Sequence, residues 1–168
     1  MNRMQIDVPQ LMESMLDQIR PVLNDRSALI GIANGGYGLL NFFERKLPAV
    51  KYVGSVDIGL HRDDYSVRGL SKGNRNTDIP FNIDGKDVIL VDDVVQSGRT
   101  VRAAINELFD FGRPRSIKLA VLVDRGGREL PIAPDYLGTF LEVEAEQEVV
   151  IVDDGDNRLS IQVKSSVG

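Results

Sequence analysis

Val88-Ile89-Leu90-Val91-Asp92-Asp93-Val94-Val95-Gln96-Ser97-Gly98-Arg99-Thr100-Val101 is the stretch that decides the reading of this chain. It opens on four apolar residues, Val88 to Val91, with the length and β-branched content of a buried parallel strand. Asp92 and Asp93 follow at once, then a short polar turn from Gln96 to Thr100, then a helix. A strand that empties into a small-residue loop and a helix start has the geometry of a phosphate cradle. Backbone N–H groups of the loop and of the helix's first turn lack internal partners, and the helix dipole favours an anion there. Ser97 and Thr100 add hydroxyl donors, and Gly98 lets the backbone approach closely. Adjacent carboxylates at a strand's end suit a polyol or a metal, because they accept hydrogen bonds from hydroxyls.

The same residues also suit solvated acids or helix caps at an ordinary strand–loop–helix junction. The stretch is neither a G-x-x-x-x-G-K-[ST] loop nor a G-x-G-x-x-G fingerprint.

Working outward, 168 residues fit one domain spanning 1–168, with a substantial core. Hydrophobic content of 42% and charged content of 27% are ordinary for a soluble globular protein. The absence of cysteine excludes a disulfide framework and thiolate zinc sites, and gives a cytoplasmic setting as the default expectation. A single histidine, His61, argues against a histidine-ligated metal. No apolar run has the length of a membrane span, and the N-terminus does not read as a signal peptide. Net charge is −5, whereas nucleic-acid binders usually carry a basic excess. No Lys or Arg lies between Arg128 and Arg158, a gap that holds Glu142, Glu144, Glu146, Glu148, Asp153, Asp154 and Asp156. This reads as an acidic solvated face and weighs against a large RNA footprint.

Apolar residues at helical spacing predict a helix over Val8 to Asn24, capped by Asp7 with Pro9 in its first turn. Ala28 to Ala33 is predicted as a core strand, Tyr37 to Arg45 as a second helix, and Val50 to Ile58 as a second strand. After the Val88 strand, a helix is expected from Arg99 to Phe111, ended by Gly112 and Pro114, and then a buried strand from Ser116 to Val123. Tyr136 to Val143, Val149 to Val152 and Leu159 to Val163 read as short strands of alternating character. The expected class is α/β: a mostly parallel central sheet flanked by helices, with a small C-terminal β addition. Arg62 to Asn76 is a polar excursion containing Arg62, Arg68, Lys72 and Arg75; loops of this length are usually functional or mobile.

The Val88–Val101 stretch resembles the phosphoribosyl-pyrophosphate (PRPP) motif of type I phosphoribosyltransferases. A second run, Phe111 to Ile132, is similar to the PyrR family of pyrimidine operon regulators that are also uracil phosphoribosyltransferases. R-T-V-R-A-A (Arg99 to Ala104), G-R-P (Gly112 to Pro114), A-V-L-V-D-R-G (Ala120 to Gly126) and R-E-L-P-I (Arg128 to Ile132) occur in that family's order. The likeness runs from about Ala28 to the C-terminus.

That resemblance implies the type I phosphoribosyltransferase fold and the conversion of PRPP and uracil to UMP and diphosphate, with Mg²⁺ held mainly by PRPP and water. Asp92 and Asp93 would hold the ribose hydroxyls and face an oxocarbenium-like charge. Val95, Gln96, Ser97, Gly98, Arg99 and Thr100 would bind the 5-phosphate. Ala33, Asn34 and Gly35 would form the pyrophosphate loop, and Val123, Asp124 and Arg125 would read the base. His61-Arg62-Asp63-Asp64-Tyr65 falls where the family has a flexible loop that closes over the site, with Arg62 in a catalytic role. PRPP, uracil, UMP and UTP are the implied ligands, and a homodimer or tetramer the implied assembly.

Departures bear on each half of that expectation. Gly35 stands where the family usually has a basic residue in the pyrophosphate loop, which removes a charge-assisted contact. Gly127 and Ala133 stand where the RNA-binding members carry His and Arg, though Arg128 is retained; the N-terminal helix offers Asp17 and Pro21. Weak or no mRNA binding is expected. Two readings stand: an active uracil phosphoribosyltransferase, and a catalytically weak sensor of uridine nucleotides or PRPP that regulates pyrimidine gene expression. An unrelated acidic-pocket phosphatase or receiver-like domain is a third, but Asp92-Asp93 does not supply the D-x-D arrangement of a phosphatase nucleophile.

Overall fold

The computed structural model describes residues 6–33, 35–59, 76–155 and 158–165. Helix α1 (Val8–Ile19) is capped by Asp7, whose carboxylate accepts the Gln10 N–H at 3.1 Å. It stops short of the expected Asn24. Pro21 cannot donate to the ladder, and Arg20–Val22 tightens into a 3₁₀ turn before Leu23 turns extended. The chain continues through β1 (Ser27–Ile32), α2 (Tyr37–Lys46), β2 (Tyr52–Val56), β3 (Asp87–Val95), α3 (Arg99–Phe111), β4 (Ser116–Asp124), β5 (Tyr136–Phe140), β6 (Gln147–Asp153) and β7 (Leu159–Ser165).

Five strands form a parallel sheet in the order β2-β1-β3-β4-β5, while β6 and β7 pair antiparallel as a separate hairpin. The central strands are apolar on both faces, as a parallel sheet covered by helices requires. Leu29, Ile89, Val91, Ala120 and Leu122 pack with α1 and α2 through Met12, Met15, Leu16 and Phe43. Ala28, Ile30, Val88, Leu90, Leu119 and Val121 pack on the other face with Val101, Ala104 and Leu108 of α3. The hairpin adds Val149, Ile151, Leu159 and Ile161 to the α1/α2 side.

Two strands differ from the sequence reading. The strand expected to end at Val91 continues through both acids to Val95, because β4 keeps pairing with it: Asp92 opposite Val121, Val94 opposite Val123, Val95 opposite Asp124. Tyr136–Phe140 belongs to the main sheet rather than to the C-terminal addition, pairing in parallel with β4 from Ala120↔Tyr136 to Asp124↔Phe140. Its alternation resembled that of the hairpin strands, and only the long-range register separates them.

Both edges of the main sheet are engaged. On β5, the Gln18 side-chain amide donates to the Leu137 carbonyl at 3.0 Å and accepts the Leu137 N–H at 3.2 Å, as a neighbouring strand would. On β2, Ser55 and Asp78 exchange backbone hydrogen bonds of 2.8 and 2.9 Å. Thr77 then accepts the Asp57 N–H and donates to the buried Glu107 of α3. At the N-terminal ends of β3 and β4, Asp87 accepts from Arg115 (2.8 and 2.6 Å), Ser116 (2.8 Å) and Asn24 (3.0 Å). These partners, Arg115 first, hold its carboxyl well below the usual carboxylate range.

Candidate active site

At the C-terminal ends of β3 and β4, where open α/β sheets bind ligands, lies a cleft of about 230 Å³. Asp92, Val94, Val95, Gln96, Ser97, Gly98, Thr100, Arg125, Glu148 and Val149 line it. Its floor is the loop from β3 into α3. Gly98 occupies the N-cap of α3 at φ 90°, a left-handed conformation natural to glycine, and has no side chain to cap the helix; the Ser97 hydroxyl oxygen accepts the Arg99 N–H at 3.1 Å. Thr100 and Val101 of the first turn of α3 line the cleft, beside Ser97.

The two acids diverge. Asp92 is 4% exposed and lines the cleft; its Oδ1 accepts the Asp93 N–H at 2.9 Å. Asp93 accepts the Val94 N–H at 2.7 Å, and its carboxylate lies against Gly35: a Cβ there would come within 2.5 Å of Asp93 Oδ1. Face alternation slips at this point. Val94 packs with the α1/α2 side and Val95 with the α3 side, the reverse of their parity from Val88. Ala33 is buried and donates to the Val56 carbonyl at 2.8 Å. Asn34 lies outside the described residues, as does Arg62 with the loop assigned to it. Gly36 closes the turn: a Cβ on it would meet the Val91 carbonyl oxygen at 2.4 Å.

Of the residues expected to read the base, Val123 is wholly buried, Asp124 is 7% exposed, and Arg125 reaches the cleft. The Arg125 Nε is buried without a hydrogen-bond partner. A cationic donor in that state is ready for an anionic or carbonyl acceptor.

The sequence reading passed over several further contributors. Glu148 and Val149 of β6 wall the cleft from the C-terminal hairpin. Residues 125–132 fold back on the phosphate loop. Arg125 N–H donates to the Val95 carbonyl (3.1 Å), Arg128 to the Gln96 carbonyl (2.8 Å), and Glu129 and Leu130 N–H groups to the Ser97 carbonyl (3.0 and 3.1 Å). Arg99 directs its side chain to Glu129 at 2.6 Å, and Ile132 covers Gly98. The R-E-L-P-I run was visible as a family signature, but the pairing of its residues with the loop needs the turn at Gly126 and Gly127, which have φ of 74° and 81°.

A sequence model of the phosphoribosyl transferase domain matches residues 3–150. Among curated relatives, the Bifunctional protein PyrR of Ralstonia nicotianae is 42% identical over 160 residues, covering 93% of this chain and 91% of its own. The Bifunctional protein PyrR of Halalkalibacterium halodurans is 42% identical over 147 residues, covering 82% of each. Solved structures with a similar fold include a hypoxanthine phosphoribosyltransferase from Staphylococcus aureus (TM-score 0.64, 19% identity, 84% of this chain and 76% of that one). A purine phosphoribosyltransferase from Pyrococcus horikoshii is another (TM-score 0.61, 23% identity, 80% and 83%). The parallel sheet, the acid-bearing strand that runs into a phosphate-type loop, and relatives that match along nearly the whole sequence agree: this chain belongs to the phosphoribosyltransferases and, within them, to the PyrR family.

Proposed function

We propose that the chain is a uracil phosphoribosyltransferase, forming UMP and diphosphate from uracil and PRPP. The observation that carries this reading is the convergence, on one cleft, of Asp92, the Gln96–Thr100 loop and Arg125. The loop suits the 5-phosphate, through backbone N–H groups and the hydroxyls of Ser97 and Thr100. Asp92 and Asp93 suit the ribose hydroxyls, and their negative charge favours an oxocarbenium-like C1 over neutral ground states. Arg125, beside Asp124, suits a carbonyl oxygen of the pyrimidine.

In the reaction, N1 of uracil bonds to C1 as the bond from C1 to the diphosphate oxygen breaks. The electron pair leaves with diphosphate, and the N1 proton is released. The protein's part is positioning and charge, with no covalent nucleophile. Among the described residues no group of three or more metal-ligating side chains occurs, so the donor set suits a Mg²⁺ that arrives on PRPP with its waters. Asp92, which lines the cleft, and Asp93 beside it would hold it, and its chemistry would be to neutralise the departing diphosphate. Arg62, on its loop, is proposed to add positive charge to the same group, and Ala33, Asn34 and Gly35 to contact it through backbone.

Gly35 supports a second reading, a sensor that binds uridine nucleotides or PRPP with little turnover, since no cation stands at that point of the pyrophosphate loop. RNA is an allowed but disfavoured partner of the regulatory reading: Arg128, the basic residue retained from the RNA-contacting pattern, is engaged by Asp124. The implied dimer or tetramer is a proposal that sedimentation would test. The deciding experiment is UMP formation from uracil and PRPP with Mg²⁺, beside the other nucleobases. Turnover confined to uracil is expected; tight UMP binding without turnover would move the assignment to the sensor.

A further inference from the structure

Arg128 sits where two parts of the cleft meet. Its guanidinium reaches Asp124 Oδ2 at 2.5 Å through one nitrogen and the Gln96 carbonyl at 2.8 Å through another. The two side chains are 24% and 10% exposed, so this pair is shielded more than the other ion pairs of the described residues. The other oxygen of Asp124 accepts the Gly126 N–H at 2.9 Å. Gly126 and Gly127, both with left-handed φ, double the chain back so that position 128 returns to the carboxylate four residues behind it. A side chain at 127 would be strained there, which gives Gly127 a role of its own.

The consequence concerns the direction of the loop's peptide groups. The carbonyls of Val95, Gln96 and Ser97 all bond to the 125–130 segment. In a planar trans peptide the N–H points opposite to the carbonyl of the preceding residue. Fixing these three carbonyls therefore turns the N–H groups of Gln96, Ser97 and Gly98 away from the 125–130 segment, and all three residues line the cleft. Backbone supplies the outer two of the three anchors, and among the described residues Arg128 supplies the middle one, at the peptide between Gln96 and Ser97.

We infer that Arg128 is a positioning residue: it orients the Gln96–Ser97 peptide for phosphate and ties that orientation to the Asp124 carboxylate at the base end of the cleft. This rests on the reading of the cleft as a nucleotide site. Gln at 128 can still donate one hydrogen bond to Asp124 but cannot span both partners. Lys keeps the charge as a single point donor and lacks the forked geometry.

The test is calorimetric titration of UMP and of uridine into the wild type, Arg128→Gln and Arg128→Lys. UMP reports phosphate and base together, and uridine the base and ribose alone. For Arg128→Gln, UMP affinity is expected to fall about tenfold or more while uridine affinity changes less than about twofold, with Lys between. A parallel loss of both ligands, or no loss of either, would overturn the inference. A Gln variant that does not fold passes the test to Lys, and failure of both to fold would mark Arg128 as purely structural and overturn it too. A wild type that binds neither UMP nor PRPP would instead remove the nucleotide-site reading itself.

Discussion

At the scale of single residues, the two aspartates of β3 carry different loads. Asp92 is buried in the cleft, whereas Asp93 lies partly buried against Gly35 and accepts one backbone N–H. Asp93→Asn keeps the volume and can still accept that bond, so it should change folding stability by less than about 1 kcal/mol. Removal of its charge opposite a cationic transition state should lower UMP formation by about 100-fold or more. Steady-state kinetics beside a urea unfolding curve checks both; unchanged turnover would remove Asp93 from the proposed chemistry. Gly35 is intelligible in the same terms. A side chain there would require the Asp93 carboxylate to shift, so the contact couples the missing cation to the position of the acid. That contact was invisible in the sequence, since it joins the turn after β1 to β3 across 58 positions of chain, and Gly35 there read as a lost charge that still permits backbone contacts.

At the scale of elements, the β3–loop–α3 unit was legible because everything that defines it is consecutive: an apolar strand, paired acids, small residues, an amphipathic helix with Gly112 at its end. The limits of legibility were long-range. Tyr136–Phe140 could join the main sheet or the hairpin on pattern alone, and the register with β4 decided it. Arg128 read as the basic residue retained from the RNA-binding pattern, and only the Gly126-Gly127 turn shows it brought onto Asp124. The start of β3 yields a pH prediction. Asp87 joins the β3 and β4 entrances to Asn24, and its folded pKa lies below the unfolded value. The unfolded state therefore binds the proton more readily, and the stabilisation is fully present above the ordinary carboxylate range, near pH 4. It is lost as pH falls through that range and below. Denaturation midpoints measured from pH 7 down to pH 2 should fall more steeply for the wild type than for Asp87→Asn, with the variant less stable at neutral pH. Parallel curves would contradict the assignment.

At the scale of the whole molecule, charge sets the outlook for macromolecular partners. The net charge of −5, the acidic run from Glu142 to Asp156 and the inward pairing of Arg128 leave little to neutralise a phosphate backbone. Filter binding with a pyrimidine-leader RNA in about 0.1 M salt is expected to show no submicromolar complex; saturable binding below that level would reopen a regulatory role through RNA. No helix among the described residues is long and apolar enough to cross a membrane. One further consequence follows from the Gln18 amide on β5 and the Ser55–Asp78 bridge on β2. Open strand borders are the usual template on which one chain recruits another, and here an amide mimic occupies part of one border and the chain's own return segment part of the other. A second copy that added a strand to either border would have to displace the Gln18 amide or the Ser55–Asp78 bridge, which favours association through side chains on helices, loops or the hairpin.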